Sequence, residues 1–133
     1  IDMGIPSYLV ASTLSIVVAQ RLPRSICANC KIEDKETSIN KLNLIGITKK
    51  IKTFKGKGCA KCNQTGHKGR HGVYEILKVT PTIQDLILKN KTSPEISTAA
   101  KKEGYKTIQE QGRELIENGT LTFEEYRRTL FLS

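Results

Sequence analysis

The chain has 133 residues, enough for one modest core or one core with a small satellite. Its 38% apolar and 26% charged residues are those of a globular protein, and 5% aromatics leave few of the stacking platforms that single-strand nucleic-acid binders use. The formal charge of +9 is concentrated: Lys41, Lys49, Lys50, Lys52, Lys55, Lys57, Lys61, Lys68 and Arg70 fall between Thr37 and Tyr74, where no acid occurs, while 13 acids balance the bases elsewhere. That window reads either as a solvated basic face or as a surface for phosphates or an acidic partner.

In chain order, Pro6 to Arg21 reads as a helix, with Pro6 at its first turn and Pro23 ending it. Tyr8, Leu9, Leu14, Val17, Val18 and Leu22 are dense enough to imply burial on most sides. The apolar run from Tyr8 to Ala19 is broken by Ser12, Thr13 and Ser15, and at about a dozen residues it is short of the roughly 20 that a membrane span needs. It also lacks the basic leader and cleavage site of a secretory signal, so a cytoplasmic protein without membrane insertion is expected. A chain opening on Ile1 rather than Met reads as a piece of a longer protein.

Cys27 to Cys30 predicts a tight turn, Ser38 to Ile45 a short helix stopped by Gly46, and Ile51 to Phe54 a strand. His71 to Val79 fits a strand. Helices follow from Pro81 to Leu88, from Thr92 to Gly104, from Thr107 to Ile116 and from Thr122 on. Thr107 with Glu110 and Thr122 with Glu125 each have the spacing of a capping box. The fold class is α+β and mainly helical. The helices after Val79 carry their own caps and apolar faces, whereas Ile32, Ile39, Leu42, Leu44, Ile45, Ile47, Ile51 and Phe54 are scattered through a polar spacer.

The cysteines carry the sharpest signal: Cys27-x2-Cys30, 28 residues, then Cys59-x2-Cys62. Two residues between cysteines let both sulfurs of a knuckle reach one ion, and two facing knuckles complete the tetrahedron that Zn²⁺ prefers. One structural zinc is therefore expected on Cys27, Cys30, Cys59 and Cys62. Four thiolates leave no open position for catalysis. Two disulfides, a redox Cys-x2-Cys pair and an iron–sulfur cluster are the weaker alternatives. A further rival is a nucleic-acid-binding knuckle of Cys59, Cys62 and His67, with His71 one residue early for the fourth ligand and Gly72 in its place. A basic zinc-ribbon module that binds nucleic acid is the alternative function. Gly66, Gly69 and Gly72 precede a predicted strand rather than a helix, so they read as turn residues before a dinucleotide-binding loop. No GxxxxGK[ST] phosphate loop occurs, and no catalytic residue is assigned.

The run from Met3 to Cys30 (MGIPSYLVASTLSIVVAQRLPRSICANC) closely resembles a stretch of the type II secretion and type IV pilus assembly ATPases. Gly58 to Leu77 (GCAKCNQTGHKGRHGVYEIL) looks like the second half of that family's tetracysteine module, with His67 where the family usually has an aromatic residue. Ile108 to Thr129 is similar to its C-terminal helices. The resemblance implies a hexameric RecA-like ATPase whose ATP and Mg²⁺ site lies upstream of Ile1. It implies partners among the cytoplasmic domains of inner-membrane platform proteins, peripheral association with the bacterial inner membrane and no nucleic acid. Residues 1–24 would then end the ATPase domain, 25–76 would form the zinc subdomain and 77–133 a helical extension. Gln20 and Arg21 match the family's QRL motif, with core packing or an interdomain contact as the expected role. Arg70 matches its GRxG motif, with a structural hydrogen bond expected.

Overall fold

The computed structural model describes residues 4–131, so Met3, where the resembling run begins, lies outside the described residues. Contacts divide the chain into two compact units, the first holding residues up to Ala19 together with Tyr74–Thr107, the second Gln20–Val73 and the residues from Ile108 on. This grouping cuts across chain order, because the helices after Val79 are shared between the two units.

α1 (Ser7–Thr13) of the first unit is followed by a strand, β1 (Ile16–Arg21), whose first four residues belong to that unit, and this corrects the single long helix expected from Pro6 to Arg21. Leu14 is already extended at ψ 126°, and the β-branched Ile16-Val17-Val18 run then favours a strand over a helix. β1 pairs with β6 (Val73–Lys78). The expected burial also fails in this chain: Tyr8, Leu9, Leu14, Ile16, Val17 and Val18 are all exposed. The unit's core lies instead under α3 (Pro81–Leu88) and α4 (Ser93–Lys102), where Val79, Ile83 and Ala100 are buried against Leu77, Leu86, Ile87, Ile96, Ala99 and Tyr105. Thr80 caps α3 by accepting from the Ile83 amide, and Thr92 with Glu95 forms a reciprocal box at the start of α4.

The second unit contains β2 (Arg24–Ile26), β3 (Lys31–Asp34), α2 (Ile39–Leu44), β4 (Thr53–Gly56), β5 (His67–Arg70), α5 (Ile108–Glu117) and α6 (Phe123–Tyr126), with a π-helical turn over Arg127–Phe131. Its strands form two antiparallel ribbons, β3 with β4 and β2 with β5. The expected short helix is α2, capped by Ser38 and closed at Gly46, whose φ of +82° a side chain would strain. Leu42, Ile45 and Ile47 of the polar spacer are buried, while Ile32, Ile39 and Leu44 are exposed. The Arg113 guanidinium donates to the Ile45 carbonyl at 3.1 Å, which ties α5 to the end of α2.

The helical end of this unit is tightly closed. A Cβ at Gly112 would stand 2.5 Å from Leu130 Cδ1 and 2.6 Å from Tyr126 Cε2, so only glycine lets α5 approach α6 so closely. Glu125 departs from the expected capping box. Its amide does donate to Thr122 Oγ1 at 3.0 Å, but its buried carboxylate turns to Arg24 and Arg128. It accepts from Arg24 N at 2.8 Å, Arg24 Nη2 at 3.0 Å and Arg128 Nη2 at 2.7 Å. Those donors hold the Glu125 carboxyl at about 2 even though burial pushes it up. Among the described residues, no helix is long and apolar enough to cross a membrane.

Candidate metal centre

Two ribbons position the cysteines. The β3–β4 ladder runs in register from Lys31↔Gly56 to Asp34↔Thr53, so it closes the long spacer and sets Cys30 and Cys59 at neighbouring strand ends. The β2–β5 ladder does the same from the other side, with Ile26 opposite His67 and Cys27 directly following. The backbone stitches the two knuckles together, as Lys57 N donates to Cys30 O and Cys27 N to Gly66 O, both at 2.9 Å. At Gly56 an added Cβ would lie 2.0 Å from the Gly66 carbonyl oxygen, so the two backbones meet there without room for a side chain.

Each knuckle is a local turn. Cys30 N donates to Cys27 O at 3.2 Å. The second knuckle winds through a 3₁₀ turn at Ala60–Cys62, then reverses at Asn63 and Gln64, whose φ values are +51° and +63°. The Gln64 and Thr65 amides donate back to the Cys59 and Cys62 carbonyls.

All four sulfurs lie within 4.8 Å of one another. The shorter separations are Cys27–Cys59 and Cys30–Cys62 at 3.9 Å and Cys59–Cys62 at 3.7 Å. A tetrahedron with Zn–S of about 2.3 Å has edges of about 3.8 Å. The donor set therefore fits a four-coordinate thiophilic ion. His67 is not in the cluster: its Nδ1 lies 3.0 Å from Thr65 O, which removes the knuckle of Cys59, Cys62 and His67 as a ligand set. His71 is exposed and likewise outside it.

The surrounding donors prepare thiolates. Burial opposes ionisation of Cys62, but the amides of Cys59 and Gly66, each 3.3 Å from its sulfur, bring the thiol down to about 6. The Asn29 side-chain amide, 3.4 Å from Cys59 Sγ, lowers that thiol too. Burial and the neighbouring sulfurs push Cys30 up to about 11, the Gly58 amide opposing them. Four sulfurs this close cannot all carry charge without a cation between them.

Sequence reasoning missed Asn29 and Glu125 as supporting residues. Asn29 sits inside the first Cys-x2-Cys, where an amide side chain one residue before a ligand is a readable signal. Glu125 had a local alternative in the Thr122 pattern, and no spacing points it at Arg24. Gln20 and Arg21 are exposed, and the Arg21 guanidinium donates to the Gln20 carbonyl at 3.2 Å, which does not fit core packing in this chain. Arg70 takes the structural role expected of it, with Nη1 donating to Leu22 O at 2.9 Å.

The profile of the Type II/IV secretion system protein family matches residues 1–128. The chain is 35% identical to the type IV pilus assembly ATPase PilB of Pseudomonas aeruginosa, over 96% of this chain and 23% of the relative. It is 34% identical to the PilB of Thermus thermophilus, over 93% of this chain and 14% of the relative. It is 33% identical to the type II secretion system ATPase E of Vibrio cholerae, over 96% of this chain and 25% of the relative. The chain thus spans a quarter or less of the length of these curated relatives.

Proposed function

The chain belongs to the type II/IV secretion system protein family, and from that premise we propose that it is the zinc-bound C-terminal portion of a motor ATPase that drives pilus or pseudopilus assembly. The observation that carries the metal reading is the cluster of four sulfurs on facing knuckles, all within 4.8 Å of one another and with three edges of 3.7–3.9 Å. Cys27, Cys30, Cys59 and Cys62 hold one Zn²⁺, which supplies a closed four-thiolate crosslink and no open coordination site. The chain's own groups do the rest: Asn29 donates to the Cys59 sulfur and the amides of Cys59 and Gly66 to the Cys62 sulfur, which favours those two thiolates.

On this reading the role is architectural. The ribbons and α5–α6 form one unit around the metal, while ATP and Mg²⁺ are handled by parts of the longer protein. Residues 1–24 end its RecA-like domain, and the whole works as a cytoplasmic hexamer against inner-membrane platform proteins. The exposed apolar residues of β1 and β6, among them Ile16, Val17, Val18, Tyr74 and Ile76, support a sheet that continues in the longer protein.

Native mass spectrometry with elemental analysis tests the reading. One zinc per chain is expected, and iron with visible absorbance overturns it. In the longer protein, Cys59→Ser should lower ATP turnover at saturating nucleotide while leaving nucleotide affinity unchanged. A variant with wild-type turnover would remove the architectural role.

A further inference from the structure

The β2–β5 ribbon carries an irregularity that the metal centre does not require. Arg24 pairs with Arg70 and Ile26 with His67, so two steps along β2 correspond to three along β5. That is a one-residue bulge, with Gly69 at φ +76° taking up the extra residue. In a regular strand, residues three apart point to opposite faces. The bulge therefore brings His67 and Arg70 to the same face as Arg24.

Two guanidiniums directly opposite on a ribbon repel, and such pairs destabilise an antiparallel ladder unless something offsets them. Glu125 is the acid that meets Arg24, through Arg24 Nε and Nη2, and it shares its charge with Arg128. Arg70 donates from Nη1 to the neutral Leu22 carbonyl, and no acid pairs with it among the described residues. An open cleft of about 300 Å³ is lined by Arg24, Thr65, His67, Gly69 and Arg70, with no acidic residue on its walls. Gly69 contributes bare backbone there, with no heavy atom within 4 Å of the place a Cβ would take. His67 Nε2 is shielded from water and has no hydrogen-bond partner, whereas buried polar atoms ordinarily have one. Thr65 Oγ1 is already engaged with Cys62 O and His67 O.

We propose that this bulged ribbon is a binding site for a phosphate group, held between Arg24, Arg70 and His67. Arg24 Nη1 and the Nε–Nη2 edge of Arg70 are left to donate, and a planar guanidinium fork matches the oxygen spacing of a phosphate. With the Nδ1 proton directed at the Thr65 carbonyl, His67 Nε2 is an acceptor, and it takes the P–OH of a hydrogen phosphate as the third contact. Glu125 already meets the charge of Arg24, and the ligand supplies the counter-charge that Arg70 lacks.

The test is a titration of the zinc-loaded chain, freed of excess metal, with inorganic phosphate at constant ionic strength, followed by backbone amide NMR. Saturating shifts confined to Arg24 and residues 67–70 are expected. Affinity should fall about tenfold in Arg70→Gln, the loss of one charged contact, and by a smaller factor in His67→Phe. Lys50→Gln, in the same basic window, should bind as the parent does. His67→Phe keeps a flat ring in the same half-buried place, so it decides the matter even where Arg70→Gln fails to fold. Vesicles of phosphatidylglycerol, set against phosphatidylcholine, separate the sources: Arg70-dependent sedimentation that inorganic phosphate displaces marks a lipid headgroup, and its absence beside saturable phosphate binding marks a free phosphate. Shifts that never saturate, that spread over the lysines of residues 37–74, or that persist in both variants overturn the site.

Discussion

Replacing Cys59 with serine removes one of four sulfurs, the acceptor of the Asn29 amide and two of the three close sulfur–sulfur edges. Coordination in structural zinc sites contributes on the order of 10 kcal/mol. The unit that holds the site has about 80 residues, for which a total stability of about 4–12 kcal/mol is ordinary. Losing most of the metal's contribution therefore unfolds this unit rather than merely loosening it. The buried residues of the spacer, Leu42, Ile45 and Ile47, belong to the same unit as Leu115, Ile116, Leu121 and Tyr126, so α5 and α6 should go with the knuckles. The other unit, with Val79, Ile83 and Ala100 at its core, should keep α3 and α4. Amide hydrogen exchange on the Cys59→Ser chain checks this, with protection expected to vanish across 24–70 and 108–126 and to remain across 81–102. Protection retained across 27–62 would show that the metal does not hold the unit together. Protection kept in α5 and α6 alone would refute the shared core.

Further expectations bear on single contacts. Asn29→Ala should weaken zinc binding about tenfold, the usual effect of removing a ligand's supporting hydrogen bond, as measured by competition with a chelator. Gly112→Ala places a Cβ 2.5 Å from Leu130 Cδ1 and 2.6 Å from the Tyr126 ring, so urea unfolding should show a loss of about 1–3 kcal/mol from overpacking. Gly119→Ala should also destabilise, since its Cβ would meet Phe54 Cδ2 at 2.7 Å from a backbone at φ +74°.

The elements legible in the sequence are those with local chemistry. α3 and α4 carry threonine caps, and α2 and α5 close at Gly46 and Gly119, each with positive φ. The cysteine quartet was legible because a Cys-x2-Cys turn needs only its own backbone to present two sulfurs. β1 was not legible, because Pro6 and a dense apolar run imitate a buried helix until the β-branched Ile16-Val17-Val18 decides locally. β2, β3 and β5 are three- and four-residue strands with no alternation to read, and they exist through pairing with partners 19 to 46 positions away. The division of the late helices between two units is a tertiary fact as well, since α4 and α5 look alike as capped amphipathic segments.

Glu125 is the clearest case of a residue whose chemistry comes from distance, and its titration makes that measurable. Its carboxyl, at 2% side-chain exposure, joins Arg24 at the entrance to the first knuckle with Arg128 in the last turn. The folded value of about 2 lies below the ordinary 4.5, so the stabilisation is fully present above about pH 4.5 and is lost as pH falls toward 2. The full shift would correspond to about 3 kcal/mol, and screening at the half-exposed guanidiniums of Arg24 and Arg128 reduces this to about 2 kcal/mol. Glu125→Gln should therefore cost about 2 kcal/mol at neutral pH and shrink the difference from the parent chain between pH 4.5 and 2. Acid also releases the metal by protonating thiolates, but that occurs in both chains and cancels in the comparison. Urea unfolding of the two proteins at a series of pH values reads the difference directly. Parallel stability curves across that window would mean that the arginines leave the Glu125 carboxyl close to its ordinary value.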